Sequence, residues 1–176
     1  MRKLKNDELN RLSVEEFKTT KKIPVCILLD NVRSMNNIGS AFRTSDAFLV
    51  EKLYLGGITA QPPHREINKT ALGATESVNW EHVEDCSALL HRLKDEGYKI
   101  YAVEQVSESI MLNNFVPSTE EKYCLIFGNE VFGVEENLVK LADGCIEIPQ
   151  LGTKHSLNIS VSVGIVVWDL FSKLKK

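Results

Sequence analysis

The sequence lacks most of the signatures that give a ligand away. It contains no G-x-G-x-x-G, so the usual dinucleotide turn is missing, and no glycine-rich loop ending in Gly-Lys-Ser or Gly-Lys-Thr, so phosphate cradling of the Walker kind is excluded. Its four cysteines, Cys26, Cys86, Cys124 and Cys145, stand far apart and form no C-x-x-C pair. Three of them, Cys26, Cys124 and Cys145, lie in apolar runs, where a reduced thiol serves as a small hydrophobe, and neither zinc nor a disulfide framework is expected. That usage suits a cytoplasmic chain. No apolar run is long enough to span a bilayer, so no membrane partner is expected. The basic start, Met1 to Asn6, is followed by no apolar stretch, so a secretory leader is not expected. The net charge of −3 lacks the strong positive excess that announces a nucleic-acid binder.

Basic residues nevertheless cluster, at Arg2, Lys3 and Lys5, at Lys18, Lys21 and Lys22, and at Lys173, Lys175 and Lys176. Two readings compete: an RNA-facing surface that relies on local charge, or solvated chain ends. With 176 residues, 43% hydrophobic and 26% charged, the chain fits one soluble domain with a sizeable core. Residues 1–22 read as a basic N-terminal segment, with Ser13 and Glu16 forming a capping box that starts a short helix. Residues 23–176 read as the main domain. Apolar runs at Val25–Leu29, Lys52–Leu55, Lys99–Val103, Tyr123–Phe127 and Cys145–Ile148 predict strands. Helices are predicted around Gly39–Leu49, His64–Leu72, Cys86–Glu96, Glu135–Ala142 and Ser156–Leu174. Strands alternating with helices predict an α/β fold with a mostly parallel sheet flanked by helices. Ligands in such sheets sit beyond the carboxyl ends of the strands, which directs attention to the loops there.

Three loops carry the candidate chemistry. In the first, Asn31 to Arg43, Asn36 or Asn37 is the expected N-cap. Asn37 and Arg43 are ~240° apart on an ideal helix, so they converge only if Asn37 lies in the loop. Arg43 could equally pair with Asp46 on the helix surface. The second, Phe127 to Val134, sets an Asn-Glu pair between two glycines directly after a buried strand, where glycine lets backbone approach a ligand. Gly133 is also an acceptable helix start. The third leaves a strand at Pro149 and enters an apolar helix through Ser156-Leu157-Asn158. Ser156 is the expected N-cap there, and Asn158, Ser160 and Ser162 need polar partners, which a helix terminus or a ligand would supply.

Together the strings NIGSAFRTSDAF, LIFGNEVFGV and IPQLGTKHSLNISVSVGI resemble the three motifs of SpoU/TrmH-type RNA ribose 2′-O-methyltransferases of the SPOUT superfamily, over about Val25 to Leu170. The resemblance implies an α/β domain with a C-terminal deep trefoil knot between about Phe127 and the last helix. It implies S-adenosyl-L-methionine (SAM) as cofactor, RNA as substrate, and a homodimer packed through the last helix and the motif 1 helix. It implies cofactor contacts from Gly128, Ile148 and Leu157 through backbone, cover from Phe127 and Leu151, and a further contact near Glu104. It implies Arg43 and Asn37 as catalytic residues, with Glu130, Ser156 and Asn158 at the other polar positions. Arg43 is the proposed base of the family, but guanidinium is almost always protonated, so phosphate binding by Arg43 stands as the other reading. Arg33, His64, Arg65, Lys154 and the basic N-terminal segment are the expected RNA contacts. By analogy alone, tRNA is expected ahead of rRNA. A non-catalytic SPOUT-like RNA-binding protein and an ordinary doubly wound nucleotide enzyme are the alternatives.

Overall fold

A computed structural model describes residues 1–175; Lys176 lies outside the described residues. The strands are β1 (Ile23–Asp30), β2 (Val50–Gly56), β3 (Trp80–Val83), β4 (Tyr98–Val103), β5 (Ile110–Met111), β6 (Lys122–Phe127) and β7 (Gly144–Glu147). The helices are α1 (Val14–Thr19), α2 (Met35–Ala47), α3 (Arg65–Ala71), α4 (Ala74–Ser77), α5 (Cys86–Asp95), α6 (Glu136–Leu141) and α7 (Ile159–Leu174). All seven strands join one sheet in the order β3-β2-β1-β6-β4-β7-β5, and every pairing is parallel. β1 is central and buried on both faces, hence its unbroken apolar run. Val25, Ile27 and Leu29 point into a core beneath α2, α3 and α7, and Cys26 and Leu28 into a second core with α5. All four cysteines are free and buried.

The N-terminal helix forms as its capping box requires: Ser13 Oγ accepts from Glu16 N–H at 3.2 Å, and Glu16 accepts from Ser13 N–H at 2.7 Å. Phe17 of that helix is buried in the larger core. Two basic side chains are spent on backbone. Lys22 donates to the carbonyls of Thr20, at 2.9 Å, and Phe17. Lys173 donates to the carbonyls of Leu112 and Phe115 at 2.9 and 2.7 Å. Arg2 is paired with Glu8 at 2.6 Å. Part of the terminal charge therefore stabilises the fold.

Two helix starts differ from expectation. Ser34, not Asn36 or Asn37, caps α2 and accepts from Asn37 N–H at 3.3 Å. Asn158, not Ser156, caps α7 and accepts from Ser160 N–H at 2.8 Å. Both oxygens are short side-chain acceptors, and the cap falls on the one whose backbone is extended just before the first helical residue. Gly133, offered as a helix start, instead lies in a left-handed turn with φ 71°, and α6 begins after Glu135. No helix among the described residues is long and apolar enough to cross a membrane.

Candidate active site

The carboxyl ends of β4, β6 and β7 open on a cavity of about 720 Å³, within the ~300–1,000 Å³ that small-molecule sites occupy. Its walls are the loops after these strands and the segment entering α7. Gly128 is where β6 gives way to the second loop. A Cβ there would fall about 2.0 Å from the Gly133 carbonyl carbon, so only glycine permits this turn. The backbone N–H and C=O groups of Gly128, Ile148 and Leu157, all lining the cavity, make no hydrogen bond among the described residues. Unpaired backbone groups at a cavity wall are ready partners for a ligand. The lining includes Glu104, Glu130, Glu136 and Glu147 but no Lys or Arg, which gives the space an acidic character. No group of His, Cys, Asp and Glu that could hold a metal occurs among the described residues.

The second loop is braced on every side. Asn129 and Gly133 exchange backbone hydrogen bonds at 2.9 Å each way. The Asn129 side chain accepts from Val131 N–H at 2.8 Å and Phe132 N–H at 3.3 Å, and donates to the Asn31 carbonyl at 2.7 Å. Glu104 accepts from Val134 N–H at 3.0 Å. Glu130 reaches the first loop, accepting from Arg33 N–H at 3.2 Å, Ser34 N–H at 3.0 Å and Asn37 Nδ2 at 3.1 Å. Desolvation works to raise the Glu130 pKa, but its own backbone N–H, joined by these donors, outweighs it and holds the carboxyl below its usual range. Asp30, buried at the end of β1, accepts from Glu135 N–H and Asn31 Nδ2, both at 2.8 Å. Burial, reinforced by the charge of Glu135, raises its pKa against the pull of those donors.

Eight of the residues nominated from sequence line the cavity: Glu104, Phe127, Gly128, Glu130, Ile148, Ser156, Leu157 and Asn158. Leu151 does not. It is fully exposed, at 102%, because its loop extends into solvent without a packing partner, so it covers nothing in this chain. Asn37 lies outside the lining but is tied to it through Glu130. Arg43 is exposed, away from the cavity, and has no ion pair among the described residues. Since α2 begins at Met35, Asn37 is helical, and the two side chains diverge within one chain. The surface pair between Arg43 and Asp46 is not formed among the described residues, and Asp46 instead accepts from the Ser77 hydroxyl. Sequence reasoning missed Asp30, Asn129 and Gln105, whose side chain donates to the His155 carbonyl at 3.1 Å. Asp30 had a readable signal, a carboxylate closing a doubly buried strand. Asn129 and Gln105 had none beyond their loops.

The sequence profile of the SpoU rRNA Methylase family matches residues 24–168. The tRNA (guanosine(18)-2′-O)-methyltransferase of Thermus thermophilus is 30% identical over 162 residues, covering 92% of this chain and 81% of that one. Among solved structures, the A. aeolicus TrmH/SpoU tRNA modifying enzyme superposes with a TM-score of 0.81 at 26% identity, covering 92% of this chain and 81% of that one. An AdoMet-bound rRNA methyltransferase from Sinorhizobium meliloti shares the fold, with a TM-score of 0.80 at 24% identity over 88% of this chain and 58% of that one. With the profile covering all but the first residue of the sheet and all three loops, the chain belongs to the SpoU rRNA Methylase family.

Proposed function

We propose that the protein transfers a methyl group from SAM to a ribose 2′-hydroxyl of RNA, with tRNA the foremost substrate. The observation that carries this reading is the cavity, where three backbone segments with unpaired polar groups meet an acidic lining. SAM fits that donor set. Its adenine edge asks for backbone donors and acceptors, and its sulfonium and ammonium charges suit a wall with glutamates and no cationic lysine or arginine. Gly128, Ile148 and Leu157 would hold it through backbone, with Phe127 as apolar cover. When bound, SAM supplies an electrophilic methyl group.

The chain must orient the ribose and dispose of a proton. Ser156 and Asn158 line the cavity where the target ribose would enter. Glu130 keeps the Asn37 amide and the α2 N-terminus in place. Arg43, permanently charged, binds the phosphate beside the target ribose and orients its hydroxyl, and the proton leaves to that phosphate. Arg43 diverges from the cavity of its own chain, so it acts where α2 meets a second copy. A homodimer is further supported by α7. There Val161, Ile165 and Trp168, spaced for one helical stripe, are 48%, 37% and 54% exposed. The reading includes the deep trefoil knot expected between about Phe127 and the last helix; the Gln105–His155 hydrogen bond, at 3.1 Å, ties the loop after β4 to the segment entering α7 across the cavity.

The reading predicts a ligand-specific shift. SAM at a hundred times its Kd should stabilise the protein by ~2.7 kcal/mol, raising Tm, while NAD and ATP leave Tm unchanged. Transfer of labelled methyl to unmodified tRNA, with alkali-resistant linkages at the modified site, would complete the assignment. Equal shifts with NAD, or methylation of bases in place of ribose, would refute it.

A further inference from the structure

The tip of the second loop carries an unexplained cost. Phe132 is 79% exposed and Val131 72% exposed, although both line the cavity that the braced loop closes. An aromatic ring held in water is unfavourable, and a mobile loop would fold it away. This loop cannot. Asn129 fixes the backbone of both residues, the Asn129–Gly133 bridge closes the turn, and Glu104 and Glu130 anchor it at either side. The ring is therefore presented on a rigid support at the rim of the site.

We propose that Phe132 is the stacking platform for an unstacked nucleobase at or next to the methylated nucleotide. The inference rests on the reading of the protein as an RNA 2′-O-methyltransferase. A ribose whose 2′-hydroxyl enters the cavity brings its own base, or the adjoining one, to the rim. With four glutamates and no Lys or Arg in the lining, this chain offers the RNA no cation of its own at the cavity, and a neutral attraction is what it can add to the phosphate contact of a second copy's Arg43. Stacking of a base on an aromatic face is that attraction, and it serves single-stranded or flipped-out bases. Phosphate contacts then belong outside the cavity, where Arg43 is exposed. Phe132 contributes the face and reads no base edge, so it favours an accessible base over a paired one without choosing among the four.

The test uses the full-length chain, SAM and unmodified bulk tRNA transcripts, comparing wild type with Phe132→Ala and Phe132→Trp. Because the ring is exposed, its removal should leave the fold and Tm unchanged. The expected result for Phe132→Ala is a rise of about tenfold in KM for tRNA, with SAM affinity by calorimetry and dimer mass by light scattering both unaltered. Phe132→Trp should hold KM near wild type. An unchanged KM in Phe132→Ala overturns the inference. A loss of SAM affinity would assign the ring to the cofactor, and a monomer would assign it to the subunit contact; either outcome also overturns it. A wild-type protein that binds SAM yet methylates no RNA would instead bring down the functional reading beneath it.

Discussion

At the scale of single residues, carboxylates in this site hold other groups in place. Glu130 has each oxygen occupied by donors of the first loop, so its work is to keep Asn37 and the start of α2 where they are. Its carboxyl sits below the ordinary value of 4.5, and a depressed pKa means stability present above that value and lost as pH falls through the folded one. The amide-exchange protection factors of residues 31–37, taken relative to the intrinsic rate at each pH, should accordingly fall below about pH 4.5 in the wild type. In Glu130→Ala the protection factors should be low and flat across that range, with a global cost of ~1 kcal/mol for the unpaired N–H groups. A wild-type exchange profile without this step would show that the clamp is not ionic. Arg43 presents the opposite case, a charge with no ion pair among the described residues. Arg43→Ala should leave Tm and SAM affinity nearly unchanged while turnover falls by ~3 kcal/mol or more, the scale of one preorganised electrostatic group. Arg43→Lys should rescue little, because a point charge lacks the planar fork. Near-normal methylation by the alanine variant would remove Arg43 from the mechanism.

Among the elements, those with continuous apolar runs or clear caps were legible in sequence. β1 announced itself by Val25 to Leu29, and α1 by its capping box. β5 was not legible, since two residues on a sheet edge leave no periodicity to read. The caps of α2 and α7 were misplaced within a correct neighbourhood, because Ser34 and Asn37, like Ser156 and Asn158, are equivalent acceptors until backbone geometry decides between them. Of the candidate site, the backbone-lined cavity was legible through Gly128, Ile148 and Leu157. The separation of Arg43 from that cavity turned on where α2 begins, a shift of a few residues that sequence does not resolve. α7 carries a prediction of its own. Trp168, stacked on Phe171 at 5.9 Å and close to Phe48 at 5.6 Å, is held rigid yet half exposed, as an interface anchor should be. On the proposed reading of α7 as a dimer contact, Trp168→Asp should leave a monomer by light scattering where the wild type gives a dimer, at a cost of ~2 kcal/mol or more to association, and reduce turnover with it. A variant that stays dimeric would place the contact elsewhere.

For the molecule as a whole, strand order matters more than strand count. β1 pairs on one side with β2, its neighbour in sequence, and on the other with β6, where Val25 lies beside Tyr123 and Leu29 beside Phe127. The two cores are separated by a strand whose second edge is supplied only late in the chain. Pairings of this kind are slow to form, since a long loop must close before any contact rewards it. Synthesis adds a direction to that delay. β1, β2 and β3 emerge first and can associate, but until residue 127 has been made the apolar backbone of β1 waits with one ladder of donors and acceptors open. An open edge on so apolar a strand is the kind that recruits other chains. The short segment from Lys122 to Phe127 thus acts during biosynthesis as the seal on a half-built sheet, and the enzyme's time of greatest exposure to aggregation ends when that seal arrives.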